Sequence, residues 1–175
     1  MTAEHATIIL HSALAGANVE HPVTKRVIAA IPPGKVDYRP DDIVKSAIDL
    51  AWHIVTAEIR FLNAVSSGAF DLTPMPRPES VRTADDVNRW YAEQFTKAVE
   101  KVTQTPGDQL AKTVDFRGIL QFPAVAYVQI GINHTIHHRG QLSMYLRPMG
   151  AKVPSIYGES YDARIERESQ MAKQA

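Results

Sequence analysis

Proline falls in this chain where helical periodicity stops. There are eleven prolines in 175 residues. Pro32-Pro33, Pro74, Pro76, Pro78, Pro106 and Pro148 separate stretches in which apolar residues recur every three or four positions. That recurrence is the signature of a helix face, and no run shows clean strand alternation over several residues. The pattern predicts an all-α chain with four main helices.

The first helical region covers Ala3 to Ile31. It is expected in two pieces, because Pro22 removes a backbone donor and restricts His21 before it. Pro32-Pro33-Gly34 stops it. A second helix is expected from Asp41, behind Pro40, with Asp41 and Asp42 placing negative charge at the positive helix end. It runs through Ile43, Ala47, Leu50, Ile54, Ala57 and Phe61 and stops near Gly68. Residues Ala69 to Arg82 hold Pro74, Pro76 and Pro78 and read as a stiff, extended connection.

Thr83 and Asp86 form a capping-box pattern, with Asp in place of the usual Glu or Gln. They open a third helix through Val87, Trp90, Tyr91, Gln94, Ala98 and Val102, ended before Pro106-Gly107. Asp108 to Phe122 reads as an irregular connection with an extended piece at Lys112 to Asp115. The fourth helix begins near Pro123, tolerated in a first turn, and reaches about Tyr145, with Pro148 and Gly150 closing it. The connections flanking the third helix are too long for tight hairpins and permit successive helices to run parallel. A single domain over residues 1–175 is expected, its polar tail frayed from about Ala163 to Ala175.

Charge and composition narrow the function. Nineteen basic side chains balance nineteen acidic ones, which gives no general grip on phosphates and argues against a nucleic-acid partner. The first fourteen residues lack the basic start of a signal peptide. From Gly118 to His138 there is no charged residue, a span long enough to cross a bilayer. Its Pro123, Gln121, Gln129, Asn133 and three histidines are costly in hydrocarbon, so it reads as a helix buried in a bundle. The expectation is a soluble, cytoplasmic protein without a membrane partner.

The chain has seven histidines and no cysteine. Disulfides, thiolate metal sites and a cysteine nucleophile are therefore excluded, and any transition-metal site must use imidazole and carboxylate. His134 and His138 lie one helical turn apart and point the same way, the spacing with which one helix offers two imidazoles to one ion. Gln141 and Tyr145 fall on the same stripe, while His137 is rotated away. A third ligand must come from another element. His53, in mid-helix at the border of the apolar stripe, is the best candidate; His5, His11 and His21 are poorer ones. The spacing alone is equally that of histidines hydrogen-bonded to carbonyls. Trp52 and Trp90 read as core. Arg139 reads as a surface or ion-paired residue that could also meet an anionic substrate.

The run His134-Thr-Ile-His-His138-Arg139-Gly140-Gln141-Leu142, followed by Tyr145-Leu-Arg-Pro148-Met-Gly150, resembles the DinB-like (DinB/YfiT) family. Val153-Pro154-Ser-Ile-Tyr157-Gly158 and the helix carrying Ala51-Trp52-His53 fit the same pattern, so the resemblance spans roughly Val23 to Gly158. It implies a four-helix bundle in an up-down-down-up arrangement, a divalent metal (usually nickel or zinc) on His53, His134 and His138, and often a homodimer. Relatives in the wider superfamily include thiol S-transferases and a mycothiol-dependent isomerase.

Two function classes follow. One is a metal-dependent transferase or hydrolase acting on a small-molecule substrate, where an open position on the ion activates a water or thiol. Without cysteine, the thiol must be a diffusible, low-molecular-weight cosubstrate. No catalytic base is nameable from spacing; Tyr145, Gln141, Arg139 and Asp49 are candidates for orientation or substrate contact. The other class is a non-catalytic, stress-associated metal-binding bundle. A weaker third reading makes the fourth helix, free of charge up to His138, a dimer face.

Overall fold

The computed structural model describes residues 1–174. Four long helices carry the fold: α1 (Ala3–Ala29), α2 (Ala47–Ser67), α3 (Ala84–Thr103) and α5 (Ala126–Leu146). Between α3 and α5 lie a one-turn helix, α4 (Gly107–Leu110), and a hairpin of β1 (Thr113–Phe116) and β2 (Leu120–Pro123). A last helix, α6 (Tyr161–Gln174), follows α5.

Side-chain contacts fix the helix directions. On α2 and α5, His53 meets His138, Glu58 meets Thr135 and Phe61 meets Gly131, so the two run antiparallel. On α1 and α5, Gly16 faces Ile132 while Glu20 and Thr24 face Arg139, so these run parallel. Lys25 meets Asn88 and His21 meets Phe95, so α1 and α3 are antiparallel. The bundle is therefore up-down-down-up. Each of α1 and α2 packs on both α3 and α5, which leaves α2 buried on most of its circumference, from Ala47 to Val65.

Local chemistry explains where the helices begin. Ser46, not Asp41, starts α2: its hydroxyl accepts from the Asp49 amide at 3.2 Å and donates to the Asp49 carboxylate at 2.6 Å. Residues 41–46 instead form a turn in which the Asp41 side chain accepts from the Ile43 amide. Gly68, in the left-handed region at φ +78°, ends α2. Thr83 and Asp86 make both bonds of the capping box of α3.

Three other expectations change. Pro22 does not divide α1. It leaves the Asn18 carbonyl without its helical partner, but both residues are exposed, so water can satisfy that carbonyl. Meanwhile the buried face from Leu14 and Ala17 to Val23 and Val27 continues past it. The connection after α3 contains a true hairpin, with Val114 paired to Phe122 and positive φ at both Arg117 and Gly118 in its turn. Pro123 thus ends a strand instead of opening a helix. Backbone bonds from Ala124 to the Lys112 carbonyl and from Val125 to that of Leu110 then aim α5.

Residues 163–174, expected as a frayed tail, belong to α6; Ala175 lies outside the described residues. The Ser160 hydroxyl accepts from the Ala163 amide at its start. Asp162 pairs with Arg147, and Glu166 with Lys152, tying the helix to the segment behind α5. Its own side chains stay out of the core. Among the described residues, no helix is long and apolar enough to cross a membrane.

Candidate metal centre

The antiparallel seam between α2 and α5 brings His53, His134 and His138 together. Each offers a nitrogen, and the three nitrogens lie within 4.8 Å of one another. His53 Nε2 and His138 Nε2 are 3.3 Å apart. Two nitrogens each about 2.0 Å from a tetrahedral ion are separated by about 3.3 Å, so this edge already has the length a metal requires. The His134 and His138 ring centroids are 4.4 Å apart, as one helical turn dictates.

The surroundings suit neutral imidazoles. Burial lowers the pKa of His53 to about 4, helped by His138, Lys45 and Arg60. Burial likewise lowers His134 to about 4, with the other histidines adding to it. His138 is lowered too, by burial, against the opposing pull of Gln141. The Gln141 amide oxygen sits 2.7 Å from His138 Nδ1. It accepts a hydrogen bond from Nδ1–H and so leaves Nε2 bare, the tautomer needed for that nitrogen to bind a metal. The Gln141 amide nitrogen donates to His137 Nε2 at 3.2 Å, so His137 stands behind the cluster rather than in it. His134 Nδ1 is buried with no protein partner. Three imidazoles, one holding an unpartnered buried nitrogen, form a donor set that fits a divalent transition metal.

The remaining histidines go elsewhere. His5 and His11 are exposed on α1. His21 stacks on Phe95 at 4.0 Å between ring centroids, and burial lowers its pKa to about 4.

The polar candidates separate by helix face. Arg139, next to His138, points away from the cluster and is 1% exposed. Its guanidinium pairs with Glu20 of α1 at 2.6 Å and donates to Thr24 and to the Tyr157 hydroxyl. Tyr157 in turn donates to Glu20. Arg139 is therefore a core ion pair that anchors the segment after α5, with no route to a substrate. Asp49 is occupied by Ser46 and Arg77; burial works to raise its pKa, but those two bonds outweigh it and hold the carboxyl ionised. Tyr145 lies beside His138 and Gln141, and burial, with Tyr38 adding to it, holds its phenol protonated.

His53 stands between two clefts open to solvent, of about 510 and 540 Å³. The proline-rich connection after α2, read above as a spacer, is a wall of the first. The Trp52 indole donates to the Met75 carbonyl at 3.0 Å, Arg60 donates to the Thr73 carbonyl at 2.7 Å, and Arg77 pairs with Asp49 at 2.9 Å. Arg60 and Arg77 were not legible as cleft residues, because the connection reaches α2 only by folding back over it. Glu58 was also missed. It is buried behind the cluster, accepts from Tyr91 and, at 3.2 Å, from Thr135, and burial pushes its pKa up to about 7. Its signal was an acidic residue inside the apolar run of α2.

The DinB family model matches residues 13–169. The chain belongs to the DinB family. Two relatives from Bacillus subtilis are uncharacterized proteins. YjoA is 28% identical over 133 residues, covering 73% of this chain and 82% of that one. YrdA is 31% identical over 115 residues, covering 62% and 64%. The YjoA crystal structure matches this DinB fold with a TM-score of 0.66 at 25% identity, over 81% of this chain and 93% of YjoA. A DinB-like protein from Bacillus cereus matches with 0.68 at 24% identity, over 84% and 97%. The mycothiol-dependent maleylpyruvate isomerase shares the fold more distantly, with a TM-score of 0.50 at 12% identity, over 81% of this chain and 61% of the isomerase.

Proposed function

We propose that this DinB protein is a divalent-metal-dependent enzyme in which His53, His134 and His138 hold nickel or zinc, and that it activates a small thiol or a water for group transfer or hydrolysis. The observation that carries the proposal is the convergence of three imidazoles from two helices at the edge of two clefts open to solvent. A purely structural ion has no need of clefts of that size beside it.

When bound, such an ion supplies Lewis acidity, which makes a thiol or water nucleophilic near neutral pH. The residues of the chain do the rest. Burial keeps the imidazoles neutral, so protons compete little for their nitrogens at pH 7. Gln141 holds the His138 ring in one orientation. The protonated Tyr145 phenol faces the second cleft as a hydrogen-bond donor for a negatively charged reactant. A thiol role draws support from the fold neighbour whose own name makes it mycothiol-dependent. With no cysteine in the chain, the sulfur would come from a diffusible cosubstrate.

The test is a purification without a histidine tag, metal measurement by mass spectrometry, and a screen of the loaded protein. Bacillithiol, mycothiol and glutathione would each be offered with a panel of electrophiles. The expected result is close to one equivalent of nickel or zinc and turnover with at least one thiol. Less than about a tenth of an equivalent after reconstitution would remove the site; full loading without turnover on thiols or hydrolysable esters would remove the enzyme.

A further inference from the structure

The two clefts beside His53 differ in character. They share Ile43, Val44, Lys45 and His53 as a common wall. Around the first stand Arg39, Lys45, Arg60 and Arg77, with Asp49 the lone acidic residue. Asp49 is spent on Arg77 at 2.9 Å. Arg39 and Arg60 reach only the Val44 and Thr73 carbonyls, and among the described residues neither they nor Lys45 pairs with a carboxylate. A chain with as many acidic as basic side chains thus gathers three unpaired cations around one cleft. Like charges so placed repel one another unless an anion joins them, and low-dielectric walls concentrate their field.

The second cleft is mainly apolar. Leu50, Met144 and Tyr145 line it with Ile43, and the histidine edge made by His53 and His138 forms its inner side. Ile43 is 93% exposed and Met144 76% exposed. Two large apolar side chains left in water at one cleft mouth lose hydrophobic free energy that an apolar ligand would restore.

We infer that the ligand of this site is an amphipathic small anion, its carboxylate, phosphate or sulfonate group held among Arg39, Lys45 and Arg60 and its apolar body lying against Leu50, Met144 and Tyr145. The span between the two parts crosses His53. If the metal-dependent reading above holds, the substrate is this anion and its reactive bond lies in that span. The binding itself needs no metal.

The experiment is therefore done on the metal-free, full-length protein by isothermal titration. The probes are 1-octanesulfonate, octanoate and octyl phosphate, with 1-octanol and octylammonium as neutral and cationic controls. The three anions should each bind at least about tenfold more tightly than 1-octanol, an advantage that shrinks in half-molar salt. Comparing the three says which headgroup the cleft prefers. Arg39 and Lys45 are exposed, so Arg39→Gln/Lys45→Gln should fold normally. It should remove most of the anions' advantage over 1-octanol while leaving 1-octanol itself unchanged, and Met144→Gln should weaken all the octyl probes together. Equal binding of octanesulfonate and 1-octanol, a double variant with an undiminished anion preference, or no binding of any probe would each overturn the inference. Metal content of the same preparation before chelation judges the metal reading separately.

Discussion

Gly131 of α5 lies so close to Phe61 of α2 that a Cβ at position 131 would stand 2.9 Å from Phe61 Cβ and 3.2 Å from its Cγ. This contact sets how near the two helices come, one turn before His134 on α5. Gly131→Ala must push Phe61 or the whole seam outward. The expected cost is about 1–3 kcal/mol of stability, read by denaturant unfolding, with a parallel loss of metal affinity because His53 moves with α2. Unchanged stability together with unchanged metal affinity would show that the seam is not rigid.

His53→Ala and His138→Ala should each lose bound metal, and His137→Ala should keep it. The first two remove a nitrogen from the cluster; the third removes only the partner of the Gln141 amide nitrogen. Metal per chain by mass spectrometry decides. Loss confined to the His137 variant would place the site on the wrong helix face.

Gln141→Leu should weaken metal binding by about 10- to 100-fold without unfolding the protein. The side chain is exposed and its contribution is to hold His138 in one tautomer and one orientation. Gln141→Glu keeps an oxygen facing Nδ1 and should recover most of the affinity in a competition titration against a chelator.

Arg139→Ala should cost about 3–5 kcal/mol, because Glu20 is left with its charge largely buried and its closest cation gone. The Tyr157 segment should loosen with it, visible as faster amide exchange in residues 153–158. Metal stoichiometry at low temperature should be unaltered, since Arg139 faces α1 and not the histidines. A variant of wild-type stability that fails in catalysis would return Arg139 to the substrate.

Glu58 gives the pH signature. Burial raises its carboxyl from 4.5 to about 7 in the folded state, against the hydrogen bonds from Tyr91 and Thr135. A raised carboxylate pKa means the folded state holds the proton more tightly. The stability it contributes is fully present below about pH 4.5 and is lost as pH rises toward 7, on the order of 3 kcal/mol across that interval. Glu58→Gln keeps an oxygen for Tyr91 and cannot ionise. The buried histidines, lowered to about 4, push the other way over this range, so the variant should gain steadily on wild type between pH 5 and 7 and be the more stable protein at pH 8. Parallel profiles for the two proteins would refute the assignment.

What could be read from the sequence and what could not divides by the range of the forces involved. The Thr83–Asp86 cap and the common face of His134 and His138 are set within one helical turn, so residue spacing reveals them. His53 was nameable only as the best of several partners, because its meeting with α5 depends on the packing of the bundle. The start of α2 was misplaced because Asp41 and Ser46 both look like helix openers, and Ser46 prevails where its neighbour Ala47 is buried. Strands of four residues, as in the hairpin, are too short to display alternation. The α6 helix buries no face, and with Ile165 and Met171 as its only large aliphatic side chains it reads in the sequence as a polar tail. Pro22 misled for the opposite reason: tertiary packing on both sides holds a helix that local rules would break.

The pair His53 and His138 are separated by 85 positions in the chain and meet across one helix–helix seam. An ion seated between them has no site in a chain whose α2 and α5 are still apart. Its binding free energy therefore belongs to the finished bundle and appears in kinetics as slower unfolding, with the rate of initial collapse left alone. An ion held at the proposed site would act as a rivet driven after the plates are aligned: metal-free protein would form at the usual rate but stay folded for less time.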